Sequence, residues 1–124
     1  MLRISDSQLD DLETLAWRRW VDRHVTAMAD LLPDVAAMYP AATFERRVDA
    51  LLRRADLHGM EGQSETVAYC YGSFAFGVGF EARADLPGVD DALALRGDSR
   101  AQALWDVYEA SAALAGEPAR DVAA

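Results

Sequence analysis

The segment VAYCYGSFAFGVGF, residues 67–80, decides the fold class. Val67, Tyr69 and Tyr71 alternate as a strand would, and a hairpin turning at Gly72 or Gly77 would make the protein α+β. Against that, the run from Tyr69 onward is too uniformly apolar for a half-exposed strand. Ser64 and Glu65, just before it, supply a helix cap and a first-turn acid. The buried-helix reading is preferred, and it makes the chain all-α. Gly72, Gly77 and Gly79 cost a helix interior about 1 kcal/mol each relative to alanine, so they require close helix packing or a functional bend.

On the N-terminal side, residues 5–32 read as one long helix. Ser7 is the expected N-cap, with Asp6, Asp10 and Asp11 near the first turn. A stripe through Leu9, Leu12, Leu15, Ala16, Trp20, Ala27, Met28 and Leu31, flanked by Trp17, Val21 and Val25, has the helical period. Pro33 stops or kinks that helix, since it lacks an amide hydrogen and clashes with the preceding turn. A short continuation is expected over residues 35–39 before Pro40 resets the chain. The next helix covers about 43–58. Its apolar face is Phe44, Val48, Leu51, Leu52 and Ala55, and Gly59 ends it. Arg46, Arg47, Arg53 and Arg54 on this helix form the only local basic patch, whose ordinary role is a solvated face paired with carboxylates.

On the C-terminal side, Leu86-Pro87-Gly88 makes a turn, a short helix follows over 89–95, and Gly97 ends it. The sequence SRAQ from Ser99 to Gln102 has the form of a capping box. It is expected to open a last helix running to about Leu114, with Ala101, Leu104, Trp105, Tyr108 and Ala112 facing inward. Gly116 and Pro118 are expected stops. The expectation is a compact single domain over residues 1–115, an all-α bundle of four or five helices with a long N-terminal helix and a glycine-rich central one, followed by a loose tail over 116–124.

Composition narrows the function classes. The 124 residues contain 21 Asp and Glu against 12 basic residues, all arginine, for a formal charge of −9. That charge opposes encounter with nucleic acid or an anionic membrane and suits a basic protein partner. No apolar stretch is long enough to span a membrane, and the N-terminus lacks the plan of a cleavable signal, so a cytoplasmic location is expected.

Chemical motifs are sparse. His24, His58 and Cys70 lack metal-ligand spacing, so neither a metal nor a cofactor is expected. Cys70, the single cysteine, reads as a small buried hydrophobe. GSFAFG around Ser73 is not a nucleophile elbow. Gly77-Val-Gly79 lacks the third glycine and the strand-to-helix context of a dinucleotide site. Glu81 and Asp85 are a weak acid pair. A small hydrolytic or ligand-binding enzyme built on His24, Ser73 or Cys70 remains an alternative.

The opening LRISDSQLDDLE, the helix around Trp17-Arg18-Arg19-Trp20-Val21, the central FAFGVGF, the following LPGVDDAL and the late WDVYE together resemble small helical proteins from bacterial type VI secretion accessory and effector loci. The family-like motif is Gly77 and Phe80 followed by Leu86 and Pro87. Gly88 stands where that pattern usually has a tryptophan. The resemblance implies a protein-interaction role as an adaptor, effector chaperone or accessory protein, with an immunity protein that binds a cognate toxin as the alternative. The implied partner is a spike or PAAR-type component or an effector, and a homo-oligomer is a further expectation. In such a role Asp85, Asp90 and Asp91 would receive basic groups, while Arg46, Arg47, Arg53 and Arg54 would orient the opposite face.

Overall fold

The computed structural model describes residues 5–83 and 85–123, with side chains through residue 111. Its elements are α1 (Asp6–Leu31), α2 (Pro33–Ala37), α3 (Ala41–Leu57), α4 (Gln63–Phe76), a 3₁₀ turn over Phe80–Ala82, α5 (Val89–Leu93) and α6 (Gly97–Ala123). The fold is all-α, with four longer helices and two of five residues, and contains no strand among the described residues. Two compact units divide it, residues 1–49 and 50–124, with the boundary inside α3.

In the first unit, α1 is capped by Ser5 rather than Ser7. The Ser5 hydroxyl accepts from the Gln8 amide at 3.2 Å, and the Gln8 side chain accepts from the Ser5 amide at 2.9 Å. This reciprocal box satisfies two otherwise orphaned donors, which Ser7, already inside the helix, cannot do. Pro33 occupies the first position of α2, where its missing N–H costs nothing. Tyr39 stacks on Phe44 at 6.3 Å, Arg47 lies over the Tyr39 ring at 4.7 Å, and the Trp17 indole donates to Asp49 at 3.0 Å.

The apolar stripe of α1 is buried only in part. Val21, His24 and Met28 are the buried residues of the helix, whereas Leu9, Leu12 and Leu15 are 47%, 52% and 45% exposed. Stepping back from Val21 by helical turns reaches half-buried Trp17 and then exposed Thr14 and Asp10, so the buried face runs into polar residues toward the N-terminus while the leucines occupy another face.

The second unit is built on α4. Ala68, Tyr69 and Cys70 are fully buried, and the core continues through Phe80, Leu86, Val89, Ala92, Ala101, Leu104 and Tyr108. The helix reading of the central segment holds through Phe76 and then ends. Gly77 adopts φ 103° and Gly79 φ 85°, backbone geometry that side chains disfavour, and the bend turns Phe80 into the core. Gly72 has a different role within α4. A Cβ there would lie 2.6 Å from Tyr108 Cζ and 2.7 Å from Phe80 Cζ, so its absence admits both rings. Tyr69–Phe80, Phe80–Tyr108 and Phe76–Tyr108 then pack with centroids 5.5, 5.8 and 5.5 Å apart, each pair adding about 0.5–1.5 kcal/mol beyond area burial.

Two expected caps are also displaced. The N-cap of α4 is Gly62, and Ser64 instead donates to Asp98 at 2.6 Å. Helix α6 begins at Gly97, which puts Ser99 inside the first turn, because a buried carboxylate already holds the Gly97 amide. The same helix continues to Ala123 rather than stopping near Leu114, in keeping with the strong helix propensity of its alanines. The inward role expected of Ala112 and the loose tail over 116–124 lie outside the residues whose side chains are described.

Candidate functional site

Glu65 and Arg100 form a buried polar hub. Their side chains are 4% and 7% exposed, with Arg100 Nη1 3.3 Å from Glu65 Oε2. Glu65 Oε1 accepts from the amides of Glu61 at 2.9 Å and Gly62 at 3.1 Å, and its Oε2 accepts from Gly97 at 2.9 Å. One carboxylate therefore caps the N-termini of both α4 and α6, where helix dipoles favour negative charge. Arg100 also donates to the carbonyls of Leu95 at 2.6 Å and His58 at 3.3 Å. Glu65, Arg100, His58, Gly62 and Gly97 line an open cleft of about 520 Å³ together with Gly59, Glu61 and Arg96. Its two buried charged groups are engaged with each other and with backbone, which assigns them to holding the fold.

The second polar cluster depends on the Gly77–Gly79 bend. By carrying the chain around the end of α4, the bend places Glu81 against residues of α3 and α4. Glu81 Oε1 accepts from Arg54 Nη2 at 2.8 Å, Tyr69 OH at 2.8 Å and His58 Nε2 at 3.3 Å. Arg54 Nε also donates to the Tyr69 hydroxyl at 3.3 Å. The Glu81 side chain is 10% exposed, and its second oxygen, Oε2, is buried without a hydrogen-bond partner. Burial raises the carboxyl pKa, but hydrogen bonds from its own backbone, Tyr69, Arg54 and His58 outweigh it and hold the group below its ordinary value. Burial is also the main cause that pushes the Tyr69 phenol up to about 12.

Glu81 lies on the wall of an open cleft of about 280 Å³, together with Arg83, Leu86, Pro87, Gly88, Val89, Asp90 and Asp91. Leu86 and Val89 are buried, whereas Asp90 and Asp91 are exposed. Arg83 is engaged by Asp85, with Nε 2.9 Å from Oδ1. Asp90 and Asp91 make no ion pair with a described residue. The cleft thus offers two exposed carboxylates that pair with no described residue, while the unpartnered Glu81 oxygen is itself buried behind its wall. It is smaller than the roughly 300–1,000 Å³ cavities that enclose small-molecule ligands, and its scale suits a single inserted side chain.

The residues singled out from sequence are distributed unevenly. Asp90 and Asp91 share the cleft, and Leu86 and Pro87 line it with them. Asp85 is tied to Arg83 beside it. Gly77 shapes the approach and Phe80 is core. Arg54 belongs to the Glu81 cluster instead of a free basic face. Arg46 donates to Thr43 at 3.3 Å and Arg47 covers Tyr39, while Arg53 also has a partner. Glu81 was visible only as a weak acid pair with Asp85. The signal that could have found its role is the glycine pair immediately before it.

His24, Cys70 and Ser73 are each buried. The Cys70 thiol is pushed up to about 12 by burial, and Ser73 donates to the Tyr69 carbonyl at 3.1 Å. No group of three or more potential metal ligands occurs among the described residues, and no described helix is long and apolar enough to cross a membrane. No family model matches the chain, and neither a curated protein nor a solved structure is significantly similar to it.

Proposed function

We propose that the protein is a protein-interaction module whose Asp90/Asp91 cleft receives a cationic side chain from a basic partner. The observation that carries this reading is the pair of exposed carboxylates, Asp90 and Asp91, which make no ion pair with a described residue and share one cleft with exposed Pro87. An arginine or lysine stem lies along Pro87 while its charged head meets the acids. Apolar contact inside a charged rim is the ordinary anatomy of a protein interface.

The cellular setting proposed is that of a cytoplasmic type VI secretion adaptor, effector chaperone or accessory protein. That assignment is supported by the sequence resemblance alone. Affinity purification from the source cells, using the natural chain and an Asp90→Lys/Asp91→Lys variant in parallel, tests the binding role. A stoichiometric partner should be recovered with the natural chain and lost with the variant. Equal recovery by a folded variant would remove the cleft from the interface.

A further inference from the structure

We infer that Asp85 is a positioning residue that holds Arg83 away from Asp90 and Asp91, and that Arg83, once released, turns onto those acids and closes the cleft. Among the described residues lining the cleft of about 280 Å³, Arg83 is the only cation. It could neutralise the two carboxylates that share the cleft, yet all three of its guanidinium nitrogens are committed elsewhere. Nε donates to Asp85 Oδ1 at 2.9 Å, Nη2 donates to Asp85 Oδ2, and Nη1 donates to the Phe76 carbonyl at 2.9 Å. The two bonds to Asp85 form the parallel fork that guanidinium and carboxylate favour. Phe76 is the last residue of α4, where the carbonyls lack helical partners and carry negative dipole charge.

These contacts carry unequal weight. Asp85 supplies two charge-assisted bonds and a full negative charge, whereas Phe76 supplies one neutral acceptor. Asp85 is not among the residues that line the cleft, so the fork keeps the guanidinium occupied outside the pair of free acids. Asp90 and Asp91 make no ion pair with a described residue. Without the Asp85 charge, Arg83 keeps a single neutral partner while two unpaired carboxylates stand in the same cleft, and attraction between opposite charges favours the acids. The Arg83 side chain is 43% exposed, which leaves room for its stem to turn. Arg83 then occupies the place proposed for a partner's cation, an autoinhibitory contact held open by one aspartate. The basic group that Asp85 receives thus belongs to its own chain. The effect on binding rests on the cation-accepting reading of the cleft; the position of Arg83 does not.

The test is the Arg83 Nε–Hε NMR signal of the full chain, recorded without ligand in the natural protein, Asp85→Asn, Asp90→Asn/Asp91→Asn and the triple variant. Neutralising Asp90 and Asp91 should leave the signal nearly unmoved in the natural background and shift it clearly in the Asp85→Asn background. Equal responses in both backgrounds, or none in either, would overturn the inference, because a distant change of charge acts alike in both. Titration with N-acetyl-arginine amide reads the consequence. Asp85→Asn should weaken binding about two- to fivefold, the scale of an exposed ion pair, and Arg83→Gln added to it should restore binding. Weakening that Arg83→Gln does not reverse would mean that Asp85 meets the ligand directly, and would overturn its positioning role. If the natural chain fails to bind the compound while Arg83 responds as expected, the hold on Arg83 stands and the cation-accepting reading fails.

Discussion

Tyr108 passes across Gly72 at the point where any other residue would carry its Cβ, and its hydroxyl donates to the Ala68 carbonyl at 2.8 Å. The contact joins α4 to α6 through an absent side chain. Gly72→Ala should therefore destabilise the protein by about 1–3 kcal/mol through overpacking, net of the modest helix-propensity gain. Urea denaturation measures it. A stabilised alanine variant would show that the rings yield easily and that close packing does not explain this glycine.

Glu65 and Arg100 should behave as one unit. Glu65→Ala leaves a buried guanidinium without its carboxylate and uncaps two helices, an expected cost of about 3–5 kcal/mol. Arg100→Met alone should also destabilise. The double variant should cost clearly less than the sum, giving a coupling of at least about 1 kcal/mol in a double-mutant cycle. Additive losses would mean that the two residues act separately.

The pattern of what could be read in advance follows from the range of the interactions. Helices at 6–31, 41–57 and 63–76 were legible because periodicity, prolines and glycine punctuation are local signals. The need for close packing or a bend at the central glycines was legible too, with Gly72 taking the first role and Gly77 and Gly79 the second. Cap positions depend on which side chain reaches the open amides, and a serine near a helix start does not by itself show that. Ser64 and Ser99 looked like caps in their own segments, but Glu65 reaches both helix starts from one buried position. Likewise, the leucines of α1 have helical spacing, and spacing alone does not reveal which face the protein covers. Glu81 gathers partners 12, 23 and 27 residues away, a convergence without a local signature.

Acid should weaken the fold first through His24. Its Nδ1 lies 2.8 Å from the Trp20 carbonyl, which can only accept, so Nδ1 carries the proton and Nε2 is left as a buried acceptor without a partner. Burial is the main cause that lowers the pKa below its ordinary 6.5, with Arg23 adding to it and the Trp20 hydrogen bond opposing. The unfolded chain thus binds the proton more readily than the native one. The stability contributed by neutral His24 is complete above pH 6.5 and is lost as pH falls through the native value. Glu81, also lowered, adds a second loss below its ordinary 4.5. Denaturation at stepped pH should show a decline beginning just below 6.5, and His24→Phe should remove that first step. An unchanged step in the folded variant would assign it elsewhere.

Cys70 should be chemically silent in the native state. It is fully buried and its thiol is pushed up to about 12, so thiolate is scarce and access requires opening of the α4 core. A chromogenic disulfide reagent should react slowly with native protein and at once in denaturant. Fast stoichiometric labelling without denaturant would contradict the packing around α4.

The most direct test of the proposed binding role is a backbone-amide NMR titration with N-acetyl-arginine amide, using the norleucine analogue as the uncharged control. The arginine compound should shift amides of residues 81–91 selectively and saturably, the control should do so far less, and Asp90→Asn/Asp91→Asn should abolish the difference. Shifts scattered over the protein, equal responses to both compounds, or a response that survives the double substitution would contradict a cation-accepting cleft.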